Sequence, residues 1–63
     1  MGIESEKQRI YEFVEKGNYH AAINLAISAL NECRRNNDQA GVDTFISISK
    51  HVINKMAEEF GIQ

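Results

Sequence analysis

One segment constrains this chain more than any other: Gly17-Asn18-Tyr19-His20-Ala21-Ala22-Ile23-Asn24-Leu25-Ala26-Ile27-Ser28-Ala29-Leu30. Gly17 is the residue type that ends helices in a left-handed conformation, and Asn18 is one that caps the next helix. The residues that follow are apolar around about 240° of a helical wheel. Tyr19, Ile23, Ile27 and Leu30 make one side, and Ala22, Leu25, Ala26, Ala29 and Cys33 the other. Only His20, Asn24, Ser28, Asn31 and Arg35 are left for water. A helix this widely apolar must be covered on two sides, and its alanines let a neighbouring helix approach closely. It is the middle member of a helical sandwich.

The flanking segments supply the covers. Ser5-Glu6-Lys7-Gln8 fits a capping box, and Ile10, Phe13 and Val14 form a stripe with Tyr11 at its margin. Glu6 and Lys7 lie close to that stripe, so the first turn is expected to fray. Asn36-Asn37-Asp38 makes the next break. Beyond it Val42, Phe45, Ile46, Ser49, Val52, Ile53, Met56 and Phe60 fall on one face of about 140°, with Ile48 off it. The short alternation Phe45-Ile46-Ser47-Ile48-Ser49 is better explained by this helical period than by a strand. Gly41 costs a helix about 1 kcal/mol relative to alanine, which allows a start as late as Asp43. Gly61 suits the C-terminal turn, with Ile62 folding back on Met56 or Ala57. The expectation is a single all-α domain over 1–63: a three-helix antiparallel up-down-up arrangement with helices at about 4–16, 19–35 and 40–60.

Length then bears on function. At about 1.5 Å per residue the third helix reaches roughly 30 Å and the first nearer 20 Å. The excess is expected to expose a patch around Ile48, Val52, Met56 and Phe60, and such patches mark interaction surfaces. A core this small supplies only about 3–5 kcal/mol, and chains of this size lean on disulfides, metals or partners. With one cysteine and no set of four metal ligands, association is the remaining supplement. The interface residues expected are Phe45, Ile48, Val52, Met56 and Phe60, closing a homodimer or holding a different protein.

No constellation carries recognisable chemistry, so neither enzyme activity nor a cofactor or metal is expected. His20 and His51 have no carboxylate placed by sequence to orient them, and a zinc site from both with Cys33 would need three helices to converge. Cys33 lies on the apolar arc near a helix C-terminus, whose dipole disfavours a thiolate. Tyr11, Phe13, Tyr19, Phe45 and Phe60 fall on core stripes rather than among basic residues, unlike a base-stacking platform. Glu4, Glu6, Glu12 and Glu15 make an acidic outer side on the first helix. The net charge is −2, without the basic face typical of nucleic-acid binding. The alternative is a nucleic-acid-linked regulator in which dimerisation assembles Lys7, Arg9, Arg34, Arg35 and Lys50. No stretch approaches the roughly 20 apolar residues of a membrane span, and Met1-Gly2-Ile3-Glu4-Ser5-Glu6 is unlike a signal peptide. The expected setting is cytoplasmic.

From Gly17 to Leu30 the chain resembles the second half of a tetratricopeptide repeat. The resemblance rests on Gly17-Asn18-Tyr19, Ala22, Ala26 and Ala29-Leu30, with Phe13 at the aromatic position of the preceding helix. It implies a repeat-like hairpin plus a long C-terminal helix. The first half departs, with Glu6, Arg9 and Ile10 where the repeat has Trp, Leu and a small residue, and Arg34 replaces the closing Pro. A peptide-binding superhelix needs about three stacked repeats, so none of that family's peptide-binding residues carries over. A comparison with the small sporulation phosphatases fails at Ser49-Lys50-His51-Val52-Ile53, which lacks their acidic residues.

Overall fold

The computed structural model describes residues 2–61, which form α1 (Ile3–Glu15), α2 (Tyr19–Arg35) and α3 (Gln39–Phe60). Among these residues there is no strand. The two connections follow one plan, offset by twenty residues. Gly17 and Asn37 both take a left-handed conformation, with φ of 78° and 58°. Two amides reach back in each turn: Gly17 N–H to the Val14 carbonyl at 3.0 Å and Asn18 N–H to Phe13 at 2.9 Å, then Asn37 N–H to Arg34 at 3.1 Å and Asp38 N–H to Cys33 at 2.8 Å. This is the Schellman pattern, which satisfies carbonyls that a helix end leaves without partners. The following side chain caps the next helix. Asn18 Oδ1 accepts from Ala21 N–H at 3.3 Å and Asp38 Oδ1 from Gly41 N–H at 3.0 Å.

Turns this tight return the chain along the helix it has just left, and the contacts agree. The start of α1, the end of α2 and the start of α3 share one cleft, lined by Ile3, Glu6, Cys33, Asp38 and Phe45 among others. At the opposite end Tyr19, opening α2, meets Phe60, closing α3, edge to face at 6.3 Å. The order is up-down-up. α1 and α3 each pack along α2 and touch each other only sparsely. The extents of 36 × 21 × 14 Å are wider than the roughly 15 Å cross-section of three helices closed into a triangle.

The core is the cluster Ile10, Ala22, Ala26, Ala29, Cys33, Phe45, Ile48 and Val52. α2 contributes only small side chains to it, so both neighbours approach that helix closely. Phe45, Ile10 and Val52 are the largest enclosed side chains, each stabilising by about 1.5–3 kcal/mol.

Two local expectations are corrected. The capping box at Ser5 does not form. The helix begins earlier, at Ile3 behind Gly2, with no side-chain cap, because Ile3 packs against the core. Glu6, expected in a frayed turn on the acidic outer side, is only 9% exposed. α3 starts at Gln39, within a residue of the expected start and not as late as Asp43, so Gly41 lies inside its first turn. A Cβ there would lie 2.5 Å from Cys33 Sγ and 2.7 Å from Asp38 Oδ2. Gly41 thus lets the start of α3 press on the end of α2, which offsets its low helix propensity. Gly61 takes φ 70° and ends α3 as expected; the anticipated Ile62 contact lies outside the described residues.

Candidate protein-interaction surface

α3 carries two apolar rows, one residue apart in sequence and about 100° apart around the helix. The inner row is Gly41, Phe45, Ile48 and Val52, all buried. The outer row is Val42, Ile46, Ser49, Ile53, Met56 and Phe60, spaced alternately by four and three residues, like a coiled-coil seam. Its seven-residue line Ile46, Ile53 and Phe60 is 39%, 48% and 66% exposed. Val42, Ser49 and Met56 are half-buried.

The expected interface is corrected accordingly. Phe45, Ile48 and Val52 are core residues, and Ile48, the one taken to lie off the face, is 4% exposed. Only Met56 and Phe60 of the five remain on accessible surface. The shortfall in cover is one of width rather than length. Along the inner row, the positions after Val52 are Lys55 and Glu59, both exposed. That row therefore turns polar where its cover ends.

The outer row stays open for a geometric reason. α2 covers the inner row, and α1 meets α3 through Tyr11 and His51, edge to face at 6.2 Å. His51 is nine residues from both Val42 and Phe60, which is half a turn around the helix. α1 therefore lies on the far side of α3. Nothing among the described residues is left to cover the outer row. The α2 side of this surface continues through Tyr19, held against Phe60. Tyr19, Ile23 and Leu30 are partly buried and packed on the core, while Ile27 is 47% exposed. Rows from two helices thus make one apolar face.

The other sequence candidates are not gathered into a site. Lys7 pairs with Glu4 at 3.7 Å, Arg9 with Glu6 at 3.7 Å, and Arg35 with Glu32 at 2.5 Å, each within its own helix. Arg34 ends α2 and Lys50 is exposed midway along α3. The proposed basic set is therefore dispersed within one molecule and largely matched by carboxylates. His20 and His51 are both exposed, and the aromatic pairs meet edge to face rather than as parallel stacks. Among the described residues no group of three acidic, histidine or cysteine side chains is arranged to hold a metal ion.

Cys33 is buried at the shared cleft of about 250 Å³, beside Glu6, Glu32 and Asp38. Burial pushes its thiol above the ordinary range, and the charges of Asp38 and Glu32 and a hydrogen bond with Asp38 push it the same way. A thiol held protonated is a poor nucleophile. None of the described helices is long and apolar enough to cross a membrane. Comparison with family models, curated proteins and solved structures gives no match.

What the sequence reading missed is that one apolar face was two rows. The signal was present in the pairs Gly41-Val42, Phe45-Ile46, Ile48-Ser49 and Val52-Ile53. Residues 100° apart along a whole helix cannot all lie under a single neighbour.

Proposed function

We propose that this chain is a small non-enzymatic protein–protein interaction module, of the adaptor, chaperone-like or regulatory kind, which self-associates through α3. The observation that carries the reading is the open row Val42-Ile46-Ser49-Ile53-Met56-Phe60, whose three bulkiest members are also its most exposed apolar side chains. Contiguous apolar surface joined across two helices is where soluble proteins meet partners. The small core adds weight, since α2 supplies it with only alanines and a cysteine. A protonated, buried Cys33 suits a reducing, cytoplasmic setting and a structural role.

The tetratricopeptide-like hairpin is part of this proposal. Ala22, Ala26 and Ala29 are buried in the core that α2 shares with its neighbours, and the Gly17-Asn18 turn has the form such a hairpin needs. In that frame α3 stands as the first helix of a second unit, and the uncovered row is the face on which a second helix of such a unit would pack.

Sedimentation equilibrium with thermal melting tests the reading. The parent chain is expected to dimerise in the micromolar range, with a melting temperature that rises with concentration. Ile53→Glu, at an exposed position, is expected to shift intrinsic stability by no more than about 0.5 kcal/mol and to abolish both the dimer and the concentration dependence. A parent chain that sediments as a monomer at high micromolar concentration, with a concentration-independent melt, would overturn the proposal.

A further inference from the structure

We infer that the occupant of the open face is a second copy of this chain, docked antiparallel about a two-fold axis that crosses α3 at its midpoint. The inference rests on the self-association proposed above and adds the geometry. A two-fold interface requires a patch complementary to itself, and the outer row has that property only when reversed. With the copies antiparallel, Val42 faces the partner's Phe60, Ile46 the partner's Met56, and Ser49 the partner's Ile53. Two of the three layers, Val42 on Phe60 and Ser49 on Ile53, then set small against large, which is how facing positions interdigitate. The third pairs the similar volumes of Ile46 and Met56. Run parallel, the same row would place Ser49 on its own copy, leaving a gap, and Phe60 on its own copy, crowding that layer.

Ser49 can be buried in this way at no polar cost. Its hydroxyl already donates to the Phe45 carbonyl at 2.8 Å, so covering it with an isoleucine leaves no donor without a partner.

The position of α2 gives an independent reason. The outer row of α3 is bordered on one side by α2, through Tyr19 against Phe60. On the other side it is bordered by Asp43 and Lys50, both exposed. Antiparallel docking keeps like borders together, because rotation about an axis normal to the helix pair preserves which side of the pair each border occupies. Both α2 helices then lie on one side, where Ile27 and Ile23 meet their counterparts, and the charged borders stay in water on the other. Parallel docking would press α2 of each copy onto Asp43 and Lys50 of its partner, burying charge without compensation. A strip some 27 Å long and two helices wide removes on the order of 1,000 Å² from water over both copies, the lower bound for a specific interface.

Cross-linking of cysteine variants tests the geometry. In a Cys33→Ala background, Ile46→Cys and Met56→Cys are prepared separately and treated with a short bis-maleimide, alone and after mixing. Antiparallel docking predicts a band at twice 7.1 kDa in the mixture only, because identical positions sit about 15 Å apart along the axis. Cross-links in each separate protein, with none between them, would overturn the antiparallel geometry while leaving self-association standing. So would a dimer by sedimentation that cross-links in neither experiment. A monomer by sedimentation would overturn both. Both positions are surface-accessible, and a circular dichroism spectrum matching the parent shows that each variant is folded before it is scored.

Discussion

The two rows of α3 are chemically alike and physically opposite. Phe45, Ile48 and Val52 face α2 and are sealed, whereas Ile46, Ile53 and Phe60, set along the same helix, face solvent. Their hydrophobicity does not distinguish them; their neighbours do. The inner row has Ala22, Ala26 and Ala29 opposite it, small enough to let two helix axes close up. Among the described residues the outer row is met only at its edge, as where Tyr19 touches Phe60, because α1 went to the His51 side. An apolar side chain stabilises the fold only once something removes it from water. One row therefore holds the domain together and the other stays largely in contact with water.

The largest expected break in that contrast is Phe45→Ala. It empties the biggest enclosed site, and the surrounding alanines cannot collapse into it, so the cost is about 3–5 kcal/mol. That is close to the entire stability of a domain of this size. Far-ultraviolet circular dichroism should show an unfolded chain in water, while Ile53→Glu remains helical. A Phe45→Ala protein that melts like its parent would show that the inner row is not the core.

Gly41→Ala sharpens the comparison at a smaller scale. The added methyl would meet Cys33 Sγ at 2.5 Å. Overpacking costs about 1–3 kcal/mol, against a propensity gain of about 1 kcal/mol, so urea unfolding should give a modest net loss. Adding Cys33→Ala removes the obstructing sulfur, and the double variant should regain stability over Gly41→Ala alone. An equal or greater loss in the double variant would place the strain elsewhere.

The smallest effect concerns pH. Cys33 in the folded chain holds its proton above the ordinary thiol range, so around that range the native state binds more protons than the unfolded one. The stability this contributes is present below the unfolded thiol value, about 8.5. It is lost as pH rises through the folded value. Urea midpoints should fall over that interval more steeply for the parent than for Cys33→Ala. Parallel curves would mean that burial does not perturb the thiol.

Much of this architecture could be read along the chain, and the reasons are local. Gly17, Asn18, Asp38 and Gly61 are residue types whose own backbone preferences or side-chain acceptors make turns and caps, so their roles do not depend on distant neighbours. The alanine stripe of α2 announced a middle helix for the same kind of reason. Ser5 failed as a cap because Ile3, two residues earlier, had a core contact to make. Gly41 gave the wrong impression because its value lies in what it touches, the sulfur of Cys33, eight residues away in sequence and on another helix. The open row was only partly legible: Met56 and Phe60 remain on accessible surface, but Ile46 and Ile53 were not picked out and Phe45, Ile48 and Val52 were.

Sequence alone was enough to determine that this chain makes three helices, about where each stops, and that the last carries apolar residues along its whole length. Periodicity and capping are properties of the chain within a few residues. Which of the two rows on α3 is sealed and which is open was decided only by tertiary packing. That choice depends on the side from which α1 and α2 approach. Rows one residue apart have nearly the same pattern, so no local rule separates them until a neighbouring helix occupies one side.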